Sequence, residues 1–292
     1  MKLADLLSSH KNAIFLDGAM GTQLGEAGLE MGGQNCVTHP DAVLAVHRRY
    51  ADCGIDLLIT NTLTMNRVNI ESHNVGVDTR EVNLAGARLA RAAARDGQLV
   101  LGDVSSTGKM LKPYGPLSEE EAQAAFLEQA AILAEGGVDG LIVETMIDLR
   151  EALCAVRGAG EATELPIIAT ISFSTVAKGG RTIMGNAARE CAQALAEAGA
   201  CAVGANCGSL DPFEVAEIIA GMREVTSLPL VAQPNAGKPR FVDKQTVFDM
   251  SPADFAAGLR ECLQAGATLL GGCCGTSPAH ISAMVELLGE DR

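Results

Sequence analysis

The chain has 292 residues, 48% hydrophobic and 20% charged, enough apolar material to bury a large core in one domain or two. Its formal charge of −14 disfavours nucleic acid and anionic membrane surfaces as partners. No stretch approaches the roughly 18 uninterrupted apolar residues of a membrane span, Met1 to Lys11 holds no long apolar segment, and a soluble, cytoplasmic protein is expected. Nine cysteines at irregular spacing do not resemble a secreted disulfide scaffold. Cys53, Cys154, Cys191, Cys201 and Cys262 sit on apolar positions and read as small buried hydrophobes.

In chain order, apolar runs too short for helices fall at 14–16, 56–60, 99–103, 140–144, 167–172, 202–206, 230–234 and 268–273. Amphipathic stretches lie between or after them at 41–53, 78–96, 118–136, 148–158, 187–198, 212–225, 251–265 and 278–288. Ser118 with Glu121 forms a capping box, and Ser251-Pro252 and Ser277-Pro278 place proline at the first helical position. Gly136-Gly137, Gly199 and Gly266 supply the stops. Eight strand-then-helix units, with no linker or composition step between them, predict one (β/α)8 TIM barrel over 1–292. A doubly wound open sheet is the alternative, and it would need fewer parallel strands or a second domain. The long segments 174–186 and 236–250 are expected to be mobile rim loops.

Active sites of such barrels lie at the C-terminal ends of the strands, and Asp17, Asn61, Asp103, Glu144, Ser172 and Asn235 all terminate predicted strands. Cys207, in Gly204-Ala205-Asn206-Cys207-Gly208, ends the sixth strand, and Cys273 and Cys274, in Gly271-Gly272-Cys273-Cys274-Gly275-Thr276, end the eighth. Three thiolates on one rim would make a zinc site with an open fourth position. The vicinal pair also reads as a redox couple, Asp17-Gly18 and Asn235 as turn residues, and Glu144 as a helix cap. A barrel lyase, with Asp17, Asp103 and Glu144 doing acid–base work and the 271–276 loop cradling a phosphate, uses the same residues differently.

The segments Leu16-Asp17-Gly18-Ala19-Met20-Gly21-Thr22, Thr60-Asn61-Thr62, Val143-Glu144-Thr145, Ala205-Asn206-Cys207-Gly208, Gln233-Pro234-Asn235-Ala236-Gly237-Lys238-Pro239 and 271–276 occur in one order from about residue 14 to residue 288. This set resembles the zinc-dependent homocysteine S-methyltransferase family, and within it the homocysteine-binding module of cobalamin-dependent methionine synthases. The resemblance implies that Cys207, Cys273 and Cys274 hold Zn2+, that the substrate thiol takes the fourth position, and that Asn235 occupies it when substrate is absent. It also implies that Asp17, Gly18, Ala19 and Thr22, with Glu144 and Asn206, hold the amino and carboxylate groups of homocysteine.

The chemistry of the residues agrees, because a thiolate is the nucleophile and a free thiol near pKa ~8.5 is mostly protonated at neutral pH. Carboxylates at Asp17 and Glu144 suit an ammonium, and backbone N–H groups after Asp17 suit a carboxylate. For the methyl donor the resemblance implies methylcobalamin on a separate corrinoid protein, S-methylmethionine, S-adenosylmethionine or betaine. Betaine, a quaternary ammonium, asks for an aromatic cage. The chain has no Trp, and its few Tyr and Phe residues fall mostly on predicted helices or in the core. Segment 107–118, with Lys109, Lys112 and Tyr114, resembles the methionine synthase type, which favours methylcobalamin. Leu63, where the family frequently has phenylalanine, is a departure in the donor-side lining. A non-catalytic zinc/thiol-binding or corrinoid-docking module is the remaining alternative.

Overall fold

The central strands are buried on both faces, and successive side chains alternate between a cluster inside the sheet and one beneath the helices. The computed structural model describes residues 2–8, 13–242 and 245–289. The strands are β1 (Ile14–Phe15), β2 (Leu57–Ile59), β3 (Leu99–Val104), β4 (Gly140–Met146), β5 (Ile167–Ile171), β6 (Ala202–Asn206), β7 (Leu230–Gln233), β8 (Arg240–Val242), β9 (Gln245–Val247) and β10 (Ala267–Leu270). Eight of them form one parallel sheet in the order β1-β10-β7-β6-β5-β4-β3-β2. A parallel bridge between Leu16 and Leu57 joins its two ends, giving a (β/α)8 barrel, as the eightfold alternation predicts.

Among the described residues the helices are α1 (Leu3–Leu7), α2 (Met20–Glu26), α3 (Asn35–Thr38), α4 (Pro40–Ala51), α5 (Arg67–Ser72), α6 (Thr79–Ala93), α7 (Glu119–Glu135), α8 (Leu149–Ala162), α9 (Ala188–Glu197), α10 (Pro212–Arg223), α11 (Pro252–Gln264) and α12 (Pro278–Leu288). The eight expected amphipathic stretches are α4, α6 to α10, α11 and α12. The capping box of α7 forms as read: Ser118 Oγ accepts the Glu121 N–H at 3.2 Å, and Glu121 accepts the Ser118 N–H at 2.9 Å. Such a cap stabilises a helix by about 1 kcal/mol. No described helix is long and apolar enough to cross a membrane.

Inside the barrel, Ile14, Leu16, Leu57, Ile59, Leu99, Leu101, Ile142, Ile168, Ala202, Val231 and Leu269 pack into one cluster, together with Leu3 and Leu6 of α1. Leu3 lies against Gly140 at the start of β4, where an added Cβ would fall 2.3 Å from its Cδ2, so α1 plugs the N-terminal end. One step further up each strand, the same alternation brings Asp103, Glu144, Thr170, Asn206 and Gln233, all buried. The barrel interior is therefore apolar below and polar at the C-terminal mouth.

Two segments expected as loops carry strand pairing. Segment 236–250 carries an antiparallel hairpin, β8 with β9, paired Arg240 to Val247 and Val242 to Gln245. The β-branched and aromatic residues Phe241, Val242, Thr246 and Val247 favour this pairing, and residues 243–244 between the strands lie outside the described residues. Segment 174–186 is likewise tied down, by antiparallel bridges from Arg181 to Thr175 and to Ala187.

Candidate thiol site and substrate cavity

β6 ends on Asn206, and the chain then turns through two left-handed residues, Cys207 (φ 53°) and Gly208 (φ 78°). A Cβ on Gly208 would fall 2.3 Å from Phe173 O, so only glycine fits there. The left-handed conformation at Cys207 costs roughly 1–3 kcal/mol, and it is held by the Cys207 N–H donating to Gln233 O at 3.0 Å. β10 stops at Leu270, earlier than the sequence suggests, so Cys273 and Cys274 lie on the following loop. That loop is fixed by Gly272 N–H to Asp17 O (3.0 Å), Cys273 N–H to Pro234 O (2.9 Å) and Ala236 N–H to Cys274 O (2.9 Å).

These turns bring the sulfurs of Cys207, Cys273 and Cys274 within 4.8 Å of one another. Cys207 Sγ and Cys274 Sγ are 3.8 Å apart, far beyond the roughly 2.05 Å of a disulfide. That spacing matches the edge of about 3.8 Å expected for a tetrahedron with metal–sulfur bonds near 2.3 Å. Beside them Asn235, buried, donates from Nδ2 to Gly208 O at 2.9 Å. Its Oδ1 has no hydrogen-bond partner among the described residues. Three soft sulfurs and one orphaned carbonyl oxygen form a donor set that fits a zinc ion. Without metal, hydrogen bonds from Cys273 and Cys274 hold the Cys207 thiol down to about 3 against the effect of burial. Sharing the proton network with that thiolate pushes Cys274 up to about 12 and Cys273 well above the ordinary thiol value.

A cavity of about 280 Å3 opens beside the sulfurs, lined by the 17–22 turn, Met31 to Gly33, Ile59, Leu63, Asp103, Glu144, Thr145, Gln233 and the three cysteines. No described Lys, Arg or His lines it, yet three buried carboxylates do. Asp17 accepts the Ile59 N–H at 2.9 Å. Glu144 meets Gln233 Nε2 at 3.5 Å. Asp103 Oδ1 has no partner among the described residues. Burial, then repulsion from Glu144, raises Asp17 and Asp103 well above the usual carboxylate range, with Asp17 adding to the rise at Asp103, and burial with the charge of Cys207 lifts Glu144 to about 8.

A carboxyl group whose pKa is raised in the folded state binds its proton more tightly there than in the unfolded chain. Stability is therefore highest below the unfolded value and declines as pH rises through the folded one, between about 4.5 and about 8 for Glu144. Melting of the metal-free protein across this range should show a falling Tm. Asp103→Asn should make that fall shallower by roughly 2–4 °C, the equivalent of about 1 kcal/mol in a chain of this size. Parallel pH profiles for the two proteins would mean that Asp103 does not titrate in this window.

The structure brings Asp17, Gly18, Ala19, Thr22 and Glu144 to the cavity wall, with qualifications. Ala19 N–H already donates to Thr276 Oγ1 at 2.9 Å, so the N–H groups available for a carboxylate are those opening the first turn of α2. Thr22 Oγ1 accepts the Gly275 N–H at 3.3 Å. Asn206, expected at the substrate, does not line the cavity. Its Oδ1 accepts from Thr145 N–H and Thr170 Oγ1, and its Nδ2 donates to Thr145 Oγ1, each at 2.8 Å. It holds Thr145 in a left-handed conformation (φ 60°) that is unfavourable for a β-branched residue, and so aims the end of β4. Gln233, Met31 and Thr145 were not singled out in the sequence as site residues. The period-two parity of β7 was the available signal for Gln233, and Met31 lies on a loop without periodicity.

The class defined here is a (β/α)8 barrel with three cysteine thiols and an acidic cavity at its C-terminal mouth. The chain belongs to the homocysteine S-methyltransferase family, whose sequence model matches residues 14–288. Among curated proteins, it is 30% identical to methionine synthase of Mycobacterium leprae over 95% of its own length and 24% of that protein. It is also 30% identical to methionine synthase of Mycobacterium tuberculosis, over 96% of its length and 25% of that protein. It thus spans about a quarter of the length of these relatives. The crystal structure of the homocysteine methyltransferase MmuM from Escherichia coli in its oxidized form superposes with TM-score 0.78 at 24% identity, covering 98% of each chain.

Proposed function

We propose that this chain transfers a methyl group to the thiol of homocysteine, giving methionine, at a zinc ion held by Cys207, Cys273 and Cys274. The observation that carries the reading is the convergence of three sulfurs within 4.8 Å beside an acidic cavity of amino-acid size, in a member of this family. Bound there, zinc would keep the substrate sulfur deprotonated and nucleophilic near neutral pH. Uptake of the ion has to expel the protons that Cys273 and Cys274 share with Cys207. Asn235 Oδ1, left without a partner among the described residues, would be available as a fourth ligand when no substrate is present. Asp17 and Glu144 receive the substrate ammonium, the N-terminal turn of α2 receives its carboxylate, and the apolar lining from Ile59 and Leu63 excludes water from the sulfur.

For the donor we favour methylcobalamin carried by a corrinoid protein or module. Large apolar side chains exposed on loops and helix starts after the barrel strands support this: Met110, Tyr114, Ile183, Phe213 and Phe241 could meet a protein-borne donor. The relatives named methionine synthase point the same way. Tyr114, on the loop after β3, and Phe241, on the β8–β9 hairpin, are 73% and 77% exposed, outside the helices and core expected for most Tyr and Phe residues. A cationic small-molecule donor, S-methylmethionine or S-adenosylmethionine, is the second reading, favoured by a cavity with three carboxylates and no described basic residue. Zinc-loaded protein with homocysteine should form methionine from one member of a panel of free methylcobalamin, S-methylmethionine and S-adenosylmethionine. If no member is used and homocysteine leaves the spectrum of a cobalt-substituted sample unchanged, the assignment fails.

A further inference from the structure

Two buried side chains outside the thiol cluster and the carboxylates stitch the two halves of the site together. Thr276 Oγ1 accepts the Ala19 N–H at 2.9 Å and donates to Cys273 O at 2.8 Å. Tyr50, reaching in from α4, shares its single hydroxyl hydrogen between Ala19 O at 2.9 Å and Thr276 O at 3.2 Å. Both residues are fully buried, so these bonds exchange little with water. The packing around them is equally tight. A Cβ on Gly18 would fall 2.7 Å from Thr276 Oγ1 and 3.0 Å from the Tyr50 ring and hydroxyl, and one on Gly272 would fall 2.6 Å from Thr276 Cγ2. The 17–22 turn and the 271–276 loop are thereby clasped at a fixed separation.

We propose that Tyr50 and Thr276 are positioning residues that set the chain length of the thiol amino acid this site accepts. The inference rests on the functional reading above, in which the 17–22 turn holds the amino-acid end and the cysteines hold the sulfur end. Homocysteine and cysteine present the same ammonium and carboxylate and differ by one methylene, on the order of 1 Å in reach. A rigid span rejects the shorter thiol, because a misplacement of about 1 Å can cost roughly 10²-fold. A span with that much slack would accept either. One methylene in a pocket is ordinarily worth only about 10–200-fold, so discrimination here depends on the stiffness of the clasp. Neither side chain needs to touch the substrate.

The test uses Tyr50→Phe and Thr276→Val, which keep volume and remove the hydroxyls, with Thr276→Ser restoring one. Cobalt-substituted proteins are titrated with homocysteine and with cysteine to obtain Kd for each, and methylation of both thiols is followed with whichever donor supports turnover. Wild type should prefer homocysteine. Tyr50→Phe and Thr276→Val should each reduce that preference about tenfold, chiefly through weaker homocysteine binding with kcat less affected, while metal content stays at wild-type level. Thr276→Ser should restore the wild-type preference. Amide hydrogen exchange gives a readout independent of turnover: the Ala19 N–H should exchange slowly in wild type and at least about tenfold faster in Thr276→Val. A preference unchanged in both variants, or Thr276→Ser behaving like Thr276→Val, overturns the clasp. A wild type that binds neither thiol retires the functional reading instead, and the ruler with it.

Discussion

Cys273→Ser is expected to lose its zinc, and methyl transfer with it, while keeping its fold. The backbone bonds that place residue 273, its N–H to Pro234 O and its carbonyl to Thr276 Oγ1, do not involve the sulfur. Structural zinc sites bind with apparent free energies of about 10–16 kcal/mol. Shared among four ligands, that is roughly 3 kcal/mol each, or about 10²-fold in affinity for one lost thiolate. Methionine formation should fall at least in that proportion at limiting zinc, because an unassisted thiol with pKa near ~8.5 is mostly protonated at neutral pH. Cys207→Ser and Cys274→Ser should behave alike, whereas Cys53→Ser, half-buried just past α4, should bind zinc as wild type does. Metal analysis beside circular dichroism decides the matter. A folded Cys273→Ser protein with full zinc and full activity would falsify the three-thiolate assignment.

The three cysteines were legible because two physical regularities reinforce each other. The strand–helix alternation fixes which end of each strand faces the mouth, and the glycines around residues 207 and 273–274 leave room for a loop to turn inward. The carboxylates were legible to different degrees. Asp17 and Glu144 sit in recognisable motifs, but Asp103 was only one strand-end acid among several. Carrying the interior parity of Leu99 and Leu101 one step further singles it out. What the sequence hid were contacts made at a distance along the chain. Tyr50 lies 226 residues from Thr276, and nothing on the buried face of α4 marks its hydroxyl as a clasp. For Asn206 the strand-end position is visible in the sequence, whereas its bonds to Thr145 and Thr170 and its reach to Cys273 Sγ at 4.0 Å depend on how the neighbouring strands sit. The short helices α1, α2, α3 and α5 have no signature in the sequence because each is too brief to show a period. The β8–β9 hairpin reads as a loop in the sequence because each of its strands has only three residues.

Glu144→Gln should weaken homocysteine binding about 10–100-fold with zinc content unchanged. The substitution keeps the shape of the side chain and its contact with Gln233, and it removes the charge that faces the substrate ammonium. A hydrogen bond to a charged group is worth about 1.5–3 kcal/mol, which sets that range, and burial of the pair keeps it from being screened. The loss should appear in KM and depend on the amine: 4-mercaptobutyrate, which has the same sulfur and carboxylate but no ammonium, should bind the variant within about threefold of wild type. Acidity separates the roles further. Burial holds Glu144 above the ordinary carboxylate range, to about 8 in the metal-free pocket where the Cys207 thiolate adds its charge, so pairing with an ammonium draws a proton off it. Binding that releases a proton tightens as pH rises, and the substrate thiol releases another when it meets the metal. Wild-type affinity for homocysteine should therefore climb more steeply between pH 6 and 8 than that of Glu144→Gln, which retains only the contribution of the thiol. Equal slopes in the two proteins, or an equal loss of 4-mercaptobutyrate binding, would mean that Glu144 acts on the sulfur end of the site and that the ammonium is held elsewhere.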